Sequence, residues 1–201
     1  MRKYALTLLL CFGLFGAQDA NAEAKIGEAA PAFEATDTHG MQVKLSELAG
    51  KIVVLEWTNH GCPFVVKHYE SGNMQKVQKN LAGDDLVWIS VVSSAEGKQG
   101  YVSAEEANKI TAESNAAPTH KILDPSGEIG HAYGAMTTPH MYIIDKKGTL
   151  AYKGAIDDHD TWRAKGLDEA TNYVVQAVEE LRAEKTVSMS ETKPYGCGVK
   201  Y

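Results

Sequence analysis

The chain has 201 residues and a formal net charge of −6 at pH 7, with 20 basic and 26 acidic side chains. No block of basic residues is present, so the sequence lacks the electrostatic footprint of a nucleic-acid-binding protein. The length suits one domain with a core of ordinary size. Strands alternate with helices along the chain, which predicts an α/β layer fold.

The first residues have the pattern of a secretory signal peptide. Two basic residues precede an apolar run over residues 4–17, and Ala20-Asn21-Ala22 has the small-x-small form of a cleavage site. The run is too short to span a bilayer comfortably, which disfavours a retained anchor. We therefore predict a cleaved signal peptide over residues 1–22, which removes Cys11. The mature product would have no membrane attachment and would be exported to the periplasm or the extracellular space.

Short strands and one long apolar strand begin the mature chain. The predicted elements are a β-hairpin over residues 32–36 and 41–45, a helical turn over 46–48 and a strand over 52–57. The last of these is apolar except for Glu56, as expected of a central strand covered on both faces. A helix is predicted to begin at Cys62-Pro63, because proline is well tolerated at the first helical position.

The same alternation continues to the C-terminus. The predicted elements are an interruption of the first helix at residues 71–73, strands over 86–92, 122–123, 141–145 and 149–154, and helices over 103–114, 126–133 and 167–182. The polar ending after residue 184 contains Pro194 and two glycines, which predicts a loose tail. We therefore divide the mature chain into a domain over 23–184 and a tail over 185–201 that carries Cys197.

Cys62 is the first candidate for chemistry. A cysteine that follows a strand and a tight turn and begins a helix meets free N–H groups and the positive end of the helix dipole. Both lower a thiol pKa and favour a nucleophilic thiolate. The alternative is a buried, inert cysteine that lies at the helix start without a chemical role.

Glu56 lies six residues before Cys62 and is the only charged residue of its strand. A buried carboxylate is costly unless it is paired or used. A carboxylate with a raised pKa below a reactive thiol can exchange protons during thiol–disulfide chemistry. The alternative is that Glu56 points into solvent from an edge strand.

These residues resemble the thioredoxin-fold superfamily, and more closely its redoxin branch, the alkyl hydroperoxide reductase/thiol-specific antioxidant group. The resemblance covers residues 26–156. The matching segments are I-G-E-A-A-P-A-F, K-L-S-E-L-A-G-K, V-V-L-E-W, C-P-F-V, V-W-I-S-V-V and T-T-P-H-M-Y-I-I-D-K-K-G. The resemblance implies a thioredoxin-like fold, with a central mixed sheet flanked by helices and an N-terminal β-hairpin extension.

The resemblance also implies roles for single residues. The proline after Thr138 would be cis, so that Pro139 packs against Cys62. Glu56 matches the buried acid that thioredoxins carry six residues before the nucleophilic cysteine. The ending K-P-Y-G-C-G-V-K-Y is similar to that of a peroxiredoxin-like subgroup with a second cysteine near the C-terminus, here Cys197.

Several positions depart from the related families. Val65 replaces the second cysteine of the thioredoxin C-x-x-C motif. Leu55 and Asn59 replace the proline and threonine that precede the cysteine of peroxiredoxins, and Pro139 stands where their arginine is expected. Efficient peroxidase activity is therefore not expected.

Cys197 is the candidate partner of Cys62. It could resolve an oxidised Cys62 by forming a disulfide, or it could form a permanent structural disulfide, or both thiols could stay unpaired. Three histidines, His60, His68 and His140, raise the alternative of a metal site, but their spacing fits no metal motif, and we predict neither a metal nor another cofactor.

The sequence thus predicts an exported thiol oxidoreductase. Its proposed catalytic residues are Cys62, Cys197, Glu56, Thr138 and Pro139. Its partners would be a protein disulfide, a small-molecule disulfide or a hydroperoxide, together with a thiol reductant. The alternative is a non-catalytic thioredoxin-like module that binds a protein or a metal in the region of Cys62, His60 and His140.

Overall fold

The computed structural model describes residues 24–201, so the predicted signal peptide and Cys11 lie outside the described residues. The strands are β1 (Glu34–Thr36), β2 (Gln42–Lys44), β3 (Ile52–Trp57), β4 (Leu86–Val92), β5 (His120–Leu123), β6 (Thr137–Thr138), β7 (His140–Ile144), β8 (Leu150–Gly154) and β9 (Cys197–Gly198). The α-helices are α1 (Pro63–Glu70), α2 (Asn73–Leu81), α3 (Ala104–Glu113), α4 (Glu128–Tyr133) and α5 (Tyr173–Arg182). In residues 24–201 no helix is long and apolar enough to cross a bilayer.

A mixed five-stranded sheet organises the fold, in the order β5-β4-β3-β7-β8. Strands β3, β4 and β5 are parallel, whereas β7 pairs antiparallel with both β3 and β8. The predicted central strand is confirmed, since every residue of β3 is buried. Strands β1 and β2 form the predicted N-terminal hairpin outside this sheet.

Each face of the sheet covers a separate hydrophobic core, because alternate residues of a strand point to opposite faces. On one face Trp57 packs against Tyr133 of α4 and against Tyr142, at ring-centroid distances of 5.5 and 5.1 Å. On the other face Val54 and its neighbours meet Met74 of α2 and Val174 of α5. Glu56 points to this second face.

The helix predicted over residues 167–182 is wrong in its first half. Residues Leu167–Glu169 form a short 3₁₀ helix, and α5 begins at Tyr173. Asn172 ends the intervening extended segment, because its side chain accepts a hydrogen bond from the N–H of Val175 at 2.9 Å. Asp157 and Asn172 also form a β-bridge that holds this segment extended.

The tail is not loose, contrary to the sequence-based expectation. Cys197 and Gly198 form β9, which pairs antiparallel with β6. Beyond it, the N–H of Ala95 donates to the carbonyl of Lys200 at 2.8 Å. The tail is therefore part of the folded domain and closes over the sheet end where Cys62 lies.

Loss of the α5 cap gives a stability prediction. Replacing Asn172 by alanine should lower the free energy of unfolding by about 1 kcal/mol, because the N–H of Val175 loses its acceptor. Urea unfolding followed by circular dichroism measures this change. The control is Asn80→Ala on the exposed side of α2, which should cause no loss; equal stability of the two variants would contradict the capping role.

Candidate active site

Cys62 lies where the chain leaves the carboxyl end of β3 and enters α1. It is the N-cap residue of α1, with Pro63 at the first helical position as predicted. The N–H groups of Val65 and Val66 both donate to its carbonyl at 2.9 Å. The sulfur therefore sits at the positive end of the helix, although the side chain is fully buried.

The Thr138-Pro139 segment faces this sulfur. The Thr138–Pro139 peptide bond is cis, as the family resemblance implied. The Cys62 thiol donates to the carbonyl oxygen of Thr138, with Sγ at 3.0 Å from that oxygen. The register of the sheet explains the meeting, because Trp57 at the end of β3 lies opposite His140 at the start of β7. Cys62, Thr138 and Pro139 therefore share one site.

Cys197 comes to the same site from the tail. In the pairing of β6 with β9 it lies opposite Thr138, the residue whose carbonyl binds Cys62. Both thiols are free, and each one shifts the pKa of the other, as expected of neighbouring side chains. Cys62 is buried and Cys197 is partly exposed.

The pKa values of the two thiols are shifted in opposite directions. Burial raises the pKa of Cys62, but hydrogen bonds from the Cys197 thiol and from the backbone N–H groups of Val65 and Cys197 outweigh it, so the pKa of Cys62 is lowered. Burial, the Cys62 hydrogen bond and the charge on Cys62 raise the pKa of Cys197 to about 11. Cys62 therefore loses its proton first as the pH rises, and Cys197 stabilises the resulting thiolate as a donor.

Tyr195 fixes the tail just before Cys197. Its hydroxyl donates to Asp157, lies 3.2 Å from Nε2 of His68 and 3.4 Å from Nζ of Lys67. The Lys67 ammonium also lies 4.6 Å from the centroid of the tyrosine ring. Lys67 and His68 belong to α1, the helix that Cys62 caps. Helix α1 thus positions Cys62 at its N-terminus and also contacts Tyr195, which fixes the segment that carries Cys197.

Glycines allow the tail to approach this closely. A Cβ on Gly196 would lie 2.1 Å from the carbonyl oxygen of Thr138, and the φ of Gly196 is +138°. At the chain end the ring of Tyr201 stacks on His131 with 3.9 Å between centroids. A Cβ on Gly130 would lie 2.5 Å from the Tyr201 hydroxyl. The sequence reasoning did not single out Tyr195, Gly196 or Tyr201.

Glu56 is buried, as predicted, but it is placed apart from the thiols. Its carboxylate accepts hydrogen bonds from the Tyr69 hydroxyl at 2.7 Å, the Trp88 indole at 2.8 Å and the Ser90 hydroxyl at 3.0 Å. Burial raises its pKa, while these hydrogen bonds oppose the rise. Within the described residues no hydrogen bond joins Glu56 to Cys62, so its proposed proton role would require an intermediary.

The histidines considered for a metal site lie in different surroundings. His60 is exposed, while burial lowers the pKa values of His68 and His140 to about 3. Residues 24–201 contain no group of three or more His, Cys, Asp or Glu side chains that could hold a metal ion. Asn59 serves the turn, where its side-chain oxygen accepts from the N–H of Gly61 at 2.9 Å.

Comparisons with known proteins agree with this architecture. The model of the AhpC/TSA family matches residues 26–153. No curated protein matches the chain.

Solved structures confirm the predicted thioredoxin-like fold. A hypothetical protein from Sinorhizobium meliloti 1021 has a TM-score of 0.74 at 21% identity, covering 90% of this chain and 96% of that one. An uncharacterized conserved protein from Geobacillus kaustophilus has a TM-score of 0.73 at 22% identity, covering 88% and 92%. The thioredoxin domain of a thiol-disulfide oxidoreductase from Bacteroides vulgatus has a TM-score of 0.53 at 19% identity, covering 73% and 98%.

The coupling of the thiols gives a pH prediction. Replacing Cys197 by alanine should raise the pKa of Cys62, because the thiolate loses a hydrogen-bond donor. Replacing Cys62 by alanine should lower the pKa of Cys197, because the neighbouring negative charge disappears. Ultraviolet absorbance of the thiolate against pH measures both in the mature chain. A midpoint for Cys62 that stays constant in Cys197→Ala would contradict the coupling.

The close approach of the tail gives a second prediction. Gly196→Ala should displace β9 and increase the alkylation rate of Cys62 by about tenfold, since a steric clash of this kind costs on the order of 1–3 kcal/mol. Mass spectrometry after timed exposure to iodoacetamide measures the rate. Gly50→Ala is the matched control, because Gly50 also has a positive φ of +87° but no atom within 4 Å of its Cβ position. Equal rates in the two variants would show that the tail does not cover Cys62.

Proposed function

The chain belongs to the AhpC/TSA family, and we propose that it is a thiol oxidoreductase that reduces disulfides with Cys62 as nucleophile and Cys197 as resolving cysteine. The observation that carries this proposal is that both cysteines meet at Thr138, at the start of α1: the Cys62 thiol binds its carbonyl, and Cys197 lies opposite it in the pairing of β6 with β9. The lowered pKa of Cys62 supports its role as the attacking sulfur.

In the first step the Cys62 thiolate attacks one sulfur of a substrate disulfide. A bond forms between Cys62 and that sulfur, the substrate S–S bond breaks, and the other substrate sulfur leaves as a thiolate that takes up a proton. The product is a mixed disulfide between Cys62 and the substrate. The helix start favours the attacking anion, and no metal or organic cofactor is needed.

In the second step Cys197 resolves the mixed disulfide. It loses its proton and attacks Cys62, so that a Cys62–Cys197 bond forms and the second substrate thiol leaves. The substrate has then gained two electrons and two protons, and the protein has been oxidised by the same amount. A thiol reductant must return both cysteines to the reduced state. The register of Cys197 opposite Thr138 supports this step.

The remaining proposed residues would act around the thiols. The Thr138 carbonyl would accept a hydrogen bond from the Cys62 thiol, and Pro139 would keep that carbonyl turned toward the sulfur. Glu56 lies on the second face of the sheet and would exchange protons with the thiol site through Tyr69 or Ser90, whose hydroxyls both donate to its carboxylate.

Export is part of the proposal and depends on the sequence of residues 1–22 alone. A periplasmic or extracellular location would supply disulfide substrates.

A hydroperoxide is the less favoured substrate. The chain carries Leu55 and Asn59 in place of the peroxiredoxin proline and threonine, and Asn59 serves the turn. The alternative function is a non-catalytic binding module, in which Cys62 is unreactive because the C-terminal tail covers it.

The proposal is tested with mature protein, oxidised glutathione and hydrogen peroxide. Glutathione disulfide should release two thiols per chain and leave a Cys62–Cys197 bond, detected by mass spectrometry. Cys197→Ser should stop at a glutathione adduct on Cys62, and Cys62→Ser should release no thiol.

The other outcomes overturn it in distinguishable ways. Faster bond formation with peroxide than with glutathione disulfide would make the protein a peroxidase. If neither oxidant modifies Cys62, in the wild type or in Gly196→Ala, the oxidoreductase proposal is wrong and the non-catalytic binding module becomes the favoured function.

A further inference from the structure

A cavity lies against α1. It has a volume of about 200 Å³ and is enclosed by α1, α3 and strand β4. Its walls are mainly apolar, with Val65 and Val66 from α1 and Ala107 and Ile110 from α3. Neither Cys62 nor Cys197 lines it, so it is separate from the thiol site.

A single lysine enters this apolar space. Lys121 of β5 is half-buried, and its ammonium donates to the hydroxyl of Thr111 at 2.9 Å. Within residues 24–201 Thr111 is its only hydrogen-bond acceptor, and no carboxylate lies within ion-pair distance. Burial lowers its pKa, and attraction to Glu56 opposes that change. A partly desolvated ammonium with spare donors is costly unless an anion reaches it.

The charged groups around the cavity leave this ammonium available. Glu56, Ser90 and Lys121 form a row across three neighbouring strands, with Ser90 paired to each of the others. The Glu56 carboxylate is already bound by its own donors, including Ser90 at 3.0 Å. Glu70 and His60 also line the cavity, and both are exposed. The cavity therefore offers a cation that lacks a direct counter-ion.

We propose that this cavity binds a small monocarboxylate with an apolar body, such as a six-carbon aliphatic acid. The carboxylate would pair with Lys121, and the hydrocarbon would lie between the valines of α1 and the residues of α3. The cavity is smaller than the ~300–1,000 Å³ of pockets for drug-sized ligands, which limits the ligand to a short chain or one ring. This site is independent of the thiol chemistry and would be present in a chain without reactive cysteines.

Binding of hexanoate and hexan-1-ol to the mature protein, with both cysteines replaced by serine, tests the proposal. Calorimetry gives the affinities, and amide chemical shifts of Ser90, Ala107 and Lys121 locate the site. Hexanoate should bind about tenfold or more tightly than hexan-1-ol, because a charge-assisted hydrogen bond is lost with the alcohol. Each methylene added from butanoate to hexanoate should increase the affinity about fourfold.

Variants of Lys121 distinguish the contribution of its charge to binding from that of the apolar cavity. Lys121→Met should abolish the preference for hexanoate over hexan-1-ol, whereas Lys121→Arg should retain it. Lys109→Met on the exposed side of α3 is the matched control and should bind as the wild type does. Equal binding of acid and alcohol, an unchanged preference in Lys121→Met, or no shifts at millimolar hexanoate would each overturn the proposal.

Discussion

The candidate site depends on one contact, the hydrogen bond from the Cys62 thiol to the carbonyl of Thr138. Two independent strand pairings converge there. The pairing of β3 with β7 brings the start of α1 next to residues 138–140, and the pairing of β6 with β9 places Cys197 opposite Thr138. A slip of one residue in either pairing would turn the relevant side chains to the other face of the sheet. The central sheet and the separate β6–β9 sheet thus together bring two cysteines close that are far apart in sequence.

The tail is held by buried polar groups as well as by apolar contacts, since Val187 belongs to the second core and Val199 packs against the first. Lys67 and Asp157 are buried, and both interact with Tyr195. Burying such charges is favourable only when they are paired, so removal of one partner leaves the other uncompensated. The polar and apolar contacts together give the tail a defined position.

Most of the fold was predictable because it depends on local patterns. The apolar run of β3 and the proline after Cys62 gave the strand and the helix start within a residue or two. The extended segment between the 3₁₀ helix and α5 was not predicted, because residues 167 and 170 continue the apolar spacing of the helix. The Asn172 side chain nevertheless starts a new helix at residue 173 by capping it. The ordered position of the tail was not predicted, because its glycines were taken to indicate a flexible segment. Gly196 instead permits a close approach to Thr138, which depends on a partner strand 58 residues earlier in the chain.

The unequal exposure of the two sulfurs gives the proposed redox cycle a direction. In the reduced structure Cys197 is partly exposed and Cys62 is buried. If the disulfide form keeps this arrangement, an incoming reductant would reach Cys197 first. Attack there expels Cys62, whose lower pKa makes it the better leaving group. Electrons would therefore arrive through the C-terminal cysteine and depart through the helix-capping one. The electron donor and the electron acceptor would then react with different sulfurs of the same pair.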